Sequence, residues 1–113
     1  MDTATIPQEV VILREEILSR IASAVVNCNR LADASHSRGF FASETRLRNK
    51  ARGFQMVADK EGDRLTHADS VETVLILAEF IRLSAEFISD TEEGKEIAAG
   101  MLFVRDWLFE YLR

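Results

Sequence analysis

The sequence has little of several residue types, and each shortage excludes a class of protein. The single cysteine, Cys28, cannot form an internal disulfide, and five glycines and one proline are too few for a low-complexity chain. No apolar run approaches the ~18 residues that a membrane span needs, and no cationic and apolar signal peptide opens the chain. We therefore expect a soluble protein of the reducing cytoplasm that has no membrane partner.

Motifs for the common catalytic and cofactor chemistries are also missing. The chain has no phosphate-binding glycine motif, no Cys/His zinc pair and no glycine-flanked nucleophilic serine. Residues 59–63 read Asp-Lys-Glu-Gly-Asp, but Gly62 comes two positions too early for a calcium loop. No glutamate stands at the twelfth position of such a loop. Glu93 and Glu96 have the E-x-x-E spacing of all-α nucleotide pyrophosphohydrolases, but the second acidic pair of those enzymes is missing. We expect a protein without metal or cofactor that is not an enzyme.

Charge is distributed unevenly along the chain. The net charge is −5, which argues against a direct nucleic-acid binder. Residues 1–56 carry eight basic and six acidic side chains, whereas residues 57–113 carry six and thirteen. The positive excess is concentrated in a basic cluster formed by Arg38, Arg46, Arg48, Lys50 and Arg52. This pattern predicts a basic patch on an acidic body, suited to an acidic protein surface or to a second copy of the chain.

Hydrophobic periodicity predicts an all-α or nearly all-α helical bundle in one domain, residues 1–113. Apolar residues at steps of three or four predict a long first helix over about residues 6–35, with a capping box at residues 5–8. Two further helices, about 69–89 and 91–112, begin at capping motifs and are joined closely enough to form an antiparallel hairpin. At roughly 45 Å the first helix would be longer than a compact domain of this size. Part of it must project, bend or pack against another chain.

The segment between the first two of these helices, residues 36–68, has the weakest pattern. Residues 36–39 predict a turn, and a short helix could start at Ser43 and end at Gly53. Residues 54–58 alternate as a short strand would, and residues 59–63 predict a polar turn. We expect either a short strand or irregular structure in this segment.

Two features predict binding to another protein: the over-long first helix and the two apolar stripes of the helix at 69–89. Together they present more apolar surface than a small domain can bury, so we expect a homodimer, a groove for a partner helix, or both. The candidate partner-binding residues come from these stripes and from the basic cluster with its neighbouring phenylalanines. They are Ile17, Ile21, Val25, Arg38, Phe40, Phe41, Arg46, Arg48, Leu77, Phe80 and Phe87.

An alternative function rests on Arg30 and His36. Their R-x5-H spacing fits the signature of HEPN ribonucleases, small all-α dimers in which this pair acts on the 2′-hydroxyl and the scissile phosphate. Two features oppose it, because Leu31 stands where that family usually has a polar residue and His36 falls near the predicted end of the helix. The alternatives are therefore a HEPN-like ribonuclease or toxin, and a dimeric helical structural module with an unknown partner.

Residues 53–112 resemble small helical Pseudomonas proteins without enzymatic activity. This stretch runs Gly-Phe-Gln-Met-Val-Ala from Gly53, then an acidic turn, then Ser-Val-Glu-Thr-Val-Leu-Ile-Leu-Ala-Glu-Phe from Ser70, and ends in a helix with Trp107. With its length and long first helix, the whole chain is similar to the quorum-sensing antiactivators of the QslA type. The resemblance implies stoichiometric binding to the ligand-binding domain of a LuxR-type regulator such as LasR. Blocking the regulator's dimerisation would prevent it from binding a two-half-site operator.

Overall fold

Four α-helices make up the computed structural model, which describes residues 5–113. They are α1 (Gln8–Ser37), α2 (Phe41–Thr66), α3 (Val71–Ile88) and α4 (Glu92–Tyr111), with no strand among the described residues. The predicted all-α fold, with its long first helix and C-terminal helical hairpin, is confirmed. Residues 1–4, on which the expected lack of a signal peptide partly depends, lie outside the described residues.

The helix starts depend on local capping side chains in α3 and α4 but not in α1. The Ser70 hydroxyl accepts a hydrogen bond from the Thr73 backbone N–H at 3.1 Å, and the Thr91 hydroxyl accepts one from Gly94 at 2.9 Å. The α3 cap therefore lies one residue later than the Asp69 start predicted from the sequence. The capping box predicted at residues 5–8 is wrong, because Pro7 is the N-cap of α1 and makes no side-chain cap. Thr5 stands two residues ahead of the position from which it could act.

The prediction of a strand or irregular structure within residues 36–68 was wrong, because α2 is a continuous helix of 26 residues. Gly53, read from the sequence as a helix end, lies inside α2 and is buried against α4. A Cβ at Gly53 would overlap the Ile97 carbonyl oxygen, and one at Gly100 of α4 would overlap the Lys50 carbonyl oxygen. The two glycines let the backbones of α2 and α4 touch where the helices cross. This tertiary contact outweighs the low helix propensity of glycine.

The helices pack in the order α1, α2, α4, α3, with α2 and α4 at the centre. Every helix contributes to a single apolar core, whose largest fully buried side chains are Val10, Leu13, Ile17, Ile21, Val57, Leu65, Val74, Ile81, Val104 and Leu108.

The molecule is elongated, measuring 62 × 27 × 22 Å, and its radius of gyration of 15.6 Å exceeds the roughly 13 Å of a compact domain of this length. Within residues 31–47, where α1 leads into α2, only Ala32 is buried. This end of the α1–α2 hairpin is the part of the long first helix that projects. Within residues 5–113, no helix has the length and apolar character needed to cross a bilayer.

Candidate functional site

Three of the predicted partner-binding residues lie in the core and not on the surface. Ile17, Ile21 and Leu77 are only 0%, 1% and 3% exposed, and all three belong to the central hydrophobic cluster. Val25 is partly buried against the same cluster. The prediction that Ile17, Ile21 and Leu77 contact a partner is therefore wrong, because these side chains hold the bundle together.

The outer face of α3 carries a row of exposed apolar side chains that we name the outer stripe. It consists of Ile76, Phe80, Leu83 and Phe87, which are 51%, 47%, 47% and 85% exposed. Their steps of four, three and four place them on one face of the helix over roughly 16 Å. The opposite face of α3 is buried. Two of the predicted residues, Phe80 and Phe87, are thus brought together, and Ile76 takes the place predicted for Leu77.

A groove of about 280 Å³ runs beside the C-terminal half of the outer stripe. Its walls come from three helices and include Leu83, Phe87 and Ile88 of α3, Met56 and Lys60 of α2, and Met101 of α4. Methionine side chains are flexible and polarisable, so the groove can adapt to the shape of an inserted apolar side chain. Sequence reasoning missed Met56 and Met101, because nothing local connects α2 and α4 to this end of α3.

An acidic edge borders the outer stripe. Glu72, Glu79 and Glu86 are exposed and recur every seven residues on α3. Arg82 donates hydrogen bonds to Glu79 at 3.0 Å and to Glu86 at 2.9 Å, and this guanidinium lowers the pKa of the Glu79 carboxyl below its ordinary value. Arg105 of α4 adds a weaker attraction to Glu79 but pairs closely with its neighbour Asp106. With three carboxylates and one guanidinium on α3, the edge stays net acidic.

The basic cluster does not form an open cationic patch, because ion pairs engage much of it. Arg48, at its centre, lies 2.9 Å from carboxylate oxygens of both Asp33 and Glu44. The hydrogen bond from His36, and to a smaller extent the hydrogen bonds from Arg48, lower the pKa of the Glu44 carboxyl. The predicted basic surface is therefore a local network that ties the end of α1 to the start of α2.

Other members of the basic cluster face α4. Arg52 pairs with Glu93 at 2.8 Å, and Arg46 approaches Glu96 at 4.0 Å. The Lys50 ammonium lies 4.2 Å from the centroid of the Phe103 ring. These contacts link α2 to α4 at the surface of the bundle, where exposed pairs contribute little to stability. Arg38 is exposed at the projecting end.

Phe40 and Phe41 form a smaller apolar surface at the projecting end of the α1–α2 hairpin. They are 59% and 60% exposed, and Leu31 beside them is 56% exposed. Phe40 and Leu31 line a shallow groove, while the Phe41 ring meets the His36 ring edge-on with centroids 5.6 Å apart. Both phenylalanines are exposed, as we expected from the sequence. They are far from the residues of the outer stripe along the chain.

Arg30 and His36, the residues of the ribonuclease alternative, point in different directions. Both lie within α1, and a separation of six residues puts them roughly 120° apart around the helix. Arg30 lines a shallow groove with Ser19 and Ser23, whereas the His36 Nδ1 lies 2.9 Å from a Glu44 carboxylate oxygen. The two side chains do not converge on one groove.

Cys28 and the acidic residues give no sign of a reactive or metal-binding centre within residues 5–113. Cys28 is buried, and burial raises the pKa of its thiol. No group of three or more His, Cys, Asp or Glu side chains in this part of the chain is placed to hold a metal ion.

The fold and the surface define an all-α helical bundle with an apolar stripe and an acidic edge on α3, and with a groove beside the stripe. Comparison with protein-family models, with curated proteins and with solved structures gives no match for this chain.

Proposed function

We propose that this protein acts by binding another protein through the outer stripe of α3, and that this binding inhibits a transcriptional regulator. The exposed outer stripe is the observation that carries the proposal. Phe87 is 85% exposed, while the other face of the same helix is buried. Contiguous apolar surface of this kind is uncommon on proteins that act alone. Covering it releases about 25 cal/mol for each Å² of apolar area removed from water.

The partner that we propose is the ligand-binding domain of a LuxR-type regulator such as LasR, as the resemblance to QslA-type antiactivators implies. A regulator that reads two half-sites needs two paired DNA-binding domains. An inhibitor that covers the dimerisation surface of this domain therefore silences the regulator without any catalytic step. The mechanism requires only shape and charge complementarity, and we place it in the cytoplasm, without cofactor and without direct contact with nucleic acid.

The proposal includes the homodimer expected from the sequence. We place self-association on the other exposed apolar surface, formed by Leu31, Phe40 and Phe41 at the projecting end, so that it leaves the outer stripe free for the regulator. Sedimentation velocity of the protein alone, at increasing concentration, measures the first process, and addition of the regulator measures the second.

Co-expression with the ligand-binding domain of a LuxR-type regulator, followed by size-exclusion chromatography, tests the proposal. We expect a complex of the two chains and loss of the regulator dimer. The matched variants are Leu83→Ser on the outer stripe and Leu31→Ser at the projecting end, whose wild-type leucines are 47% and 56% exposed. Leu83→Ser should weaken the complex, whereas Leu31→Ser should leave it intact. A regulator that stays dimeric at excess of this protein would refute the proposal.

A further inference from the structure

The spacing of the outer stripe matches the contact line of two paired helices. Steps of four, three and four at Ile76, Phe80, Leu83 and Phe87 are those of the alternating a and d positions of a coiled coil. All four side chains are open to solvent on one side of α3. A helix of about three turns would cover the stripe. The stripe is therefore shaped for a single helix laid along it.

The two borders of the stripe differ in charge. In the register set by the stripe, Glu72, Glu79 and Glu86 occupy the flanking positions at which charged residues select a partner helix. Only Arg82 on α3 offsets them, and it is shared between Glu79 and Glu86. On the other border lie the buried Leu77, the uncharged Ser84 and, from the groove wall on α2, the basic Lys60. The whole segment 57–113 has thirteen acidic and six basic side chains, so its net charge is negative, like that of the acidic edge.

This charge pattern disfavours a second copy of α3 as the occupant. In an antiparallel pairing about a two-fold axis, the flanking positions of the two helices meet, so Glu79 and Glu86 of one copy would face those of the other. Like charges placed together at an interface oppose association. A helix with lysine or arginine in the facing positions meets no such repulsion.

The groove beside Phe87 adds a place for an anchor. It has about 280 Å³ of space, with Met56, Met101 and Ile88 among its apolar walls. This is room for a large apolar side chain that projects from a helix lying on the stripe. Large anchors buried in such pockets supply most of the energy of many interfaces.

We infer that the segment which docks on the outer stripe is an amphipathic helix of the partner, with lysine or arginine bordering its apolar face and one bulky apolar residue seated in the groove. The inference rests on the proposed function, of which it specifies the chemistry. It does not depend on the identity of the regulator, so the two can fail separately.

Two fluorescently labelled 14-residue peptides test the inference against the full chain by fluorescence anisotropy. Both carry leucine at the 4-3-4 spacing, and they differ only in having lysine or glutamate at the flanking positions. For three exposed charge pairs we expect the lysine peptide to bind about tenfold more tightly at low salt. The ratio should fall to about twofold at 0.5 M salt, because screening weakens exposed pairs. Phe87→Ser should abolish the binding of the lysine peptide, whereas Phe40→Ser at the projecting end should not change it.

Equal binding of the two peptides, or of neither, would overturn the inference. It would also be overturned if Phe40→Ser weakened lysine-peptide binding as much as Phe87→Ser, since the peptide would then not use the outer stripe. A dimer of the protein alone that is lost in Phe87→Ser would identify a second copy as the occupant and overturn it too. Peptide binding as expected, together with no complex with a LuxR-type domain, would uphold the inference and reject only the proposed regulator.

Discussion

Replacing Gly53 by alanine should destabilise the protein, although alanine is the better helix former. A Cβ at this position would overlap the Ile97 carbonyl oxygen and lie 3.0 Å from the Ile97 carbonyl carbon and 3.1 Å from the Met101 nitrogen. All three atoms belong to the backbone of α4, which cannot rotate away as a side chain can. The variant must therefore push α2 and α4 apart at their crossing.

The size of the effect follows from two opposing contributions. Removing glycine from a helix interior stabilises the helix by about 1 kcal/mol. Overpacking a core costs about 1–3 kcal/mol, and contact with rigid backbone places this site at or above the upper end of that range. We expect a net loss of about 2 kcal/mol in the free energy of unfolding, which corresponds to roughly 6–12 °C in Tm.

Gly62→Ala is the matched control, since Gly62 is also a buried glycine inside α2. Its Cβ would meet only the two methyl groups of Leu18, at 3.2 and 3.8 Å, which form the flexible end of a side chain that is 36% exposed. We expect this variant to be unchanged or up to about 1 kcal/mol more stable than the wild type. Urea denaturation followed by circular dichroism measures both variants. Trp107 fluorescence reports on the crossing, because its ring stacks on Phe54 with centroids 5.3 Å apart. A Gly53→Ala variant as stable as Gly62→Ala would refute this account of the crossing.

Three further predictions concern single side chains. The pKa of the Glu44 carboxyl is lower in the folded protein than its ordinary value of 4.5. The ionised carboxylate therefore gives its full stabilisation above pH 4.5, and this stabilisation is lost as the pH falls through the folded-state pKa. The difference in urea midpoint between wild type and Glu44→Gln should therefore be steady near neutral pH and vanish in acid, and a difference that grew in acid would contradict this. Asn49, which is 8% exposed and donates to Glu96 at 2.9 Å, should not tolerate aspartate. Asn49→Asp should cost about 1–3 kcal/mol at pH 7, more than Asn49→Ala, because two carboxylates would then meet. Cys28 should react with iodoacetamide much more slowly in the folded protein than in urea, and equal rates would show that its thiol is open to solvent.

Local signals in the sequence were sufficient for α1, α3 and α4. Their apolar side chains recur at helical spacing, and Ser70 and Thr91 cap α3 and α4. The same signals failed for α2, because Gly53 read locally as a helix end and residues 59–63 read as a polar turn. Position 53 needs glycine because the backbone of α4 packs closely against it. The contacting residues of α4 lie more than 40 residues away along the chain, so no short sequence pattern can reveal this contact.

The candidate site was predictable only in part, for a similar reason. Two apolar stripes on α3 indicated a face for a partner, and Phe80 and Phe87 lie on that face. Periodicity could not decide which stripe turned inward, so Leu77 was placed on the wrong side. The basic cluster likewise looked open in the sequence, because Glu93 and Glu96, the partners of Arg52 and Arg46, come from α4.

The proposed function depends most directly on whether the outer stripe of α3 separates a regulator dimer. Light scattering coupled to size-exclusion chromatography can follow the mass of a LuxR-type ligand-binding domain as this protein is added. We expect the dimer to disappear with wild type and with Phe40→Ser, and to persist with Phe87→Ser. All three proteins should have the same helical circular dichroism, because both substitutions replace exposed side chains. A dimer that disappears equally with Phe87→Ser would contradict the claim that the protein acts through the outer stripe.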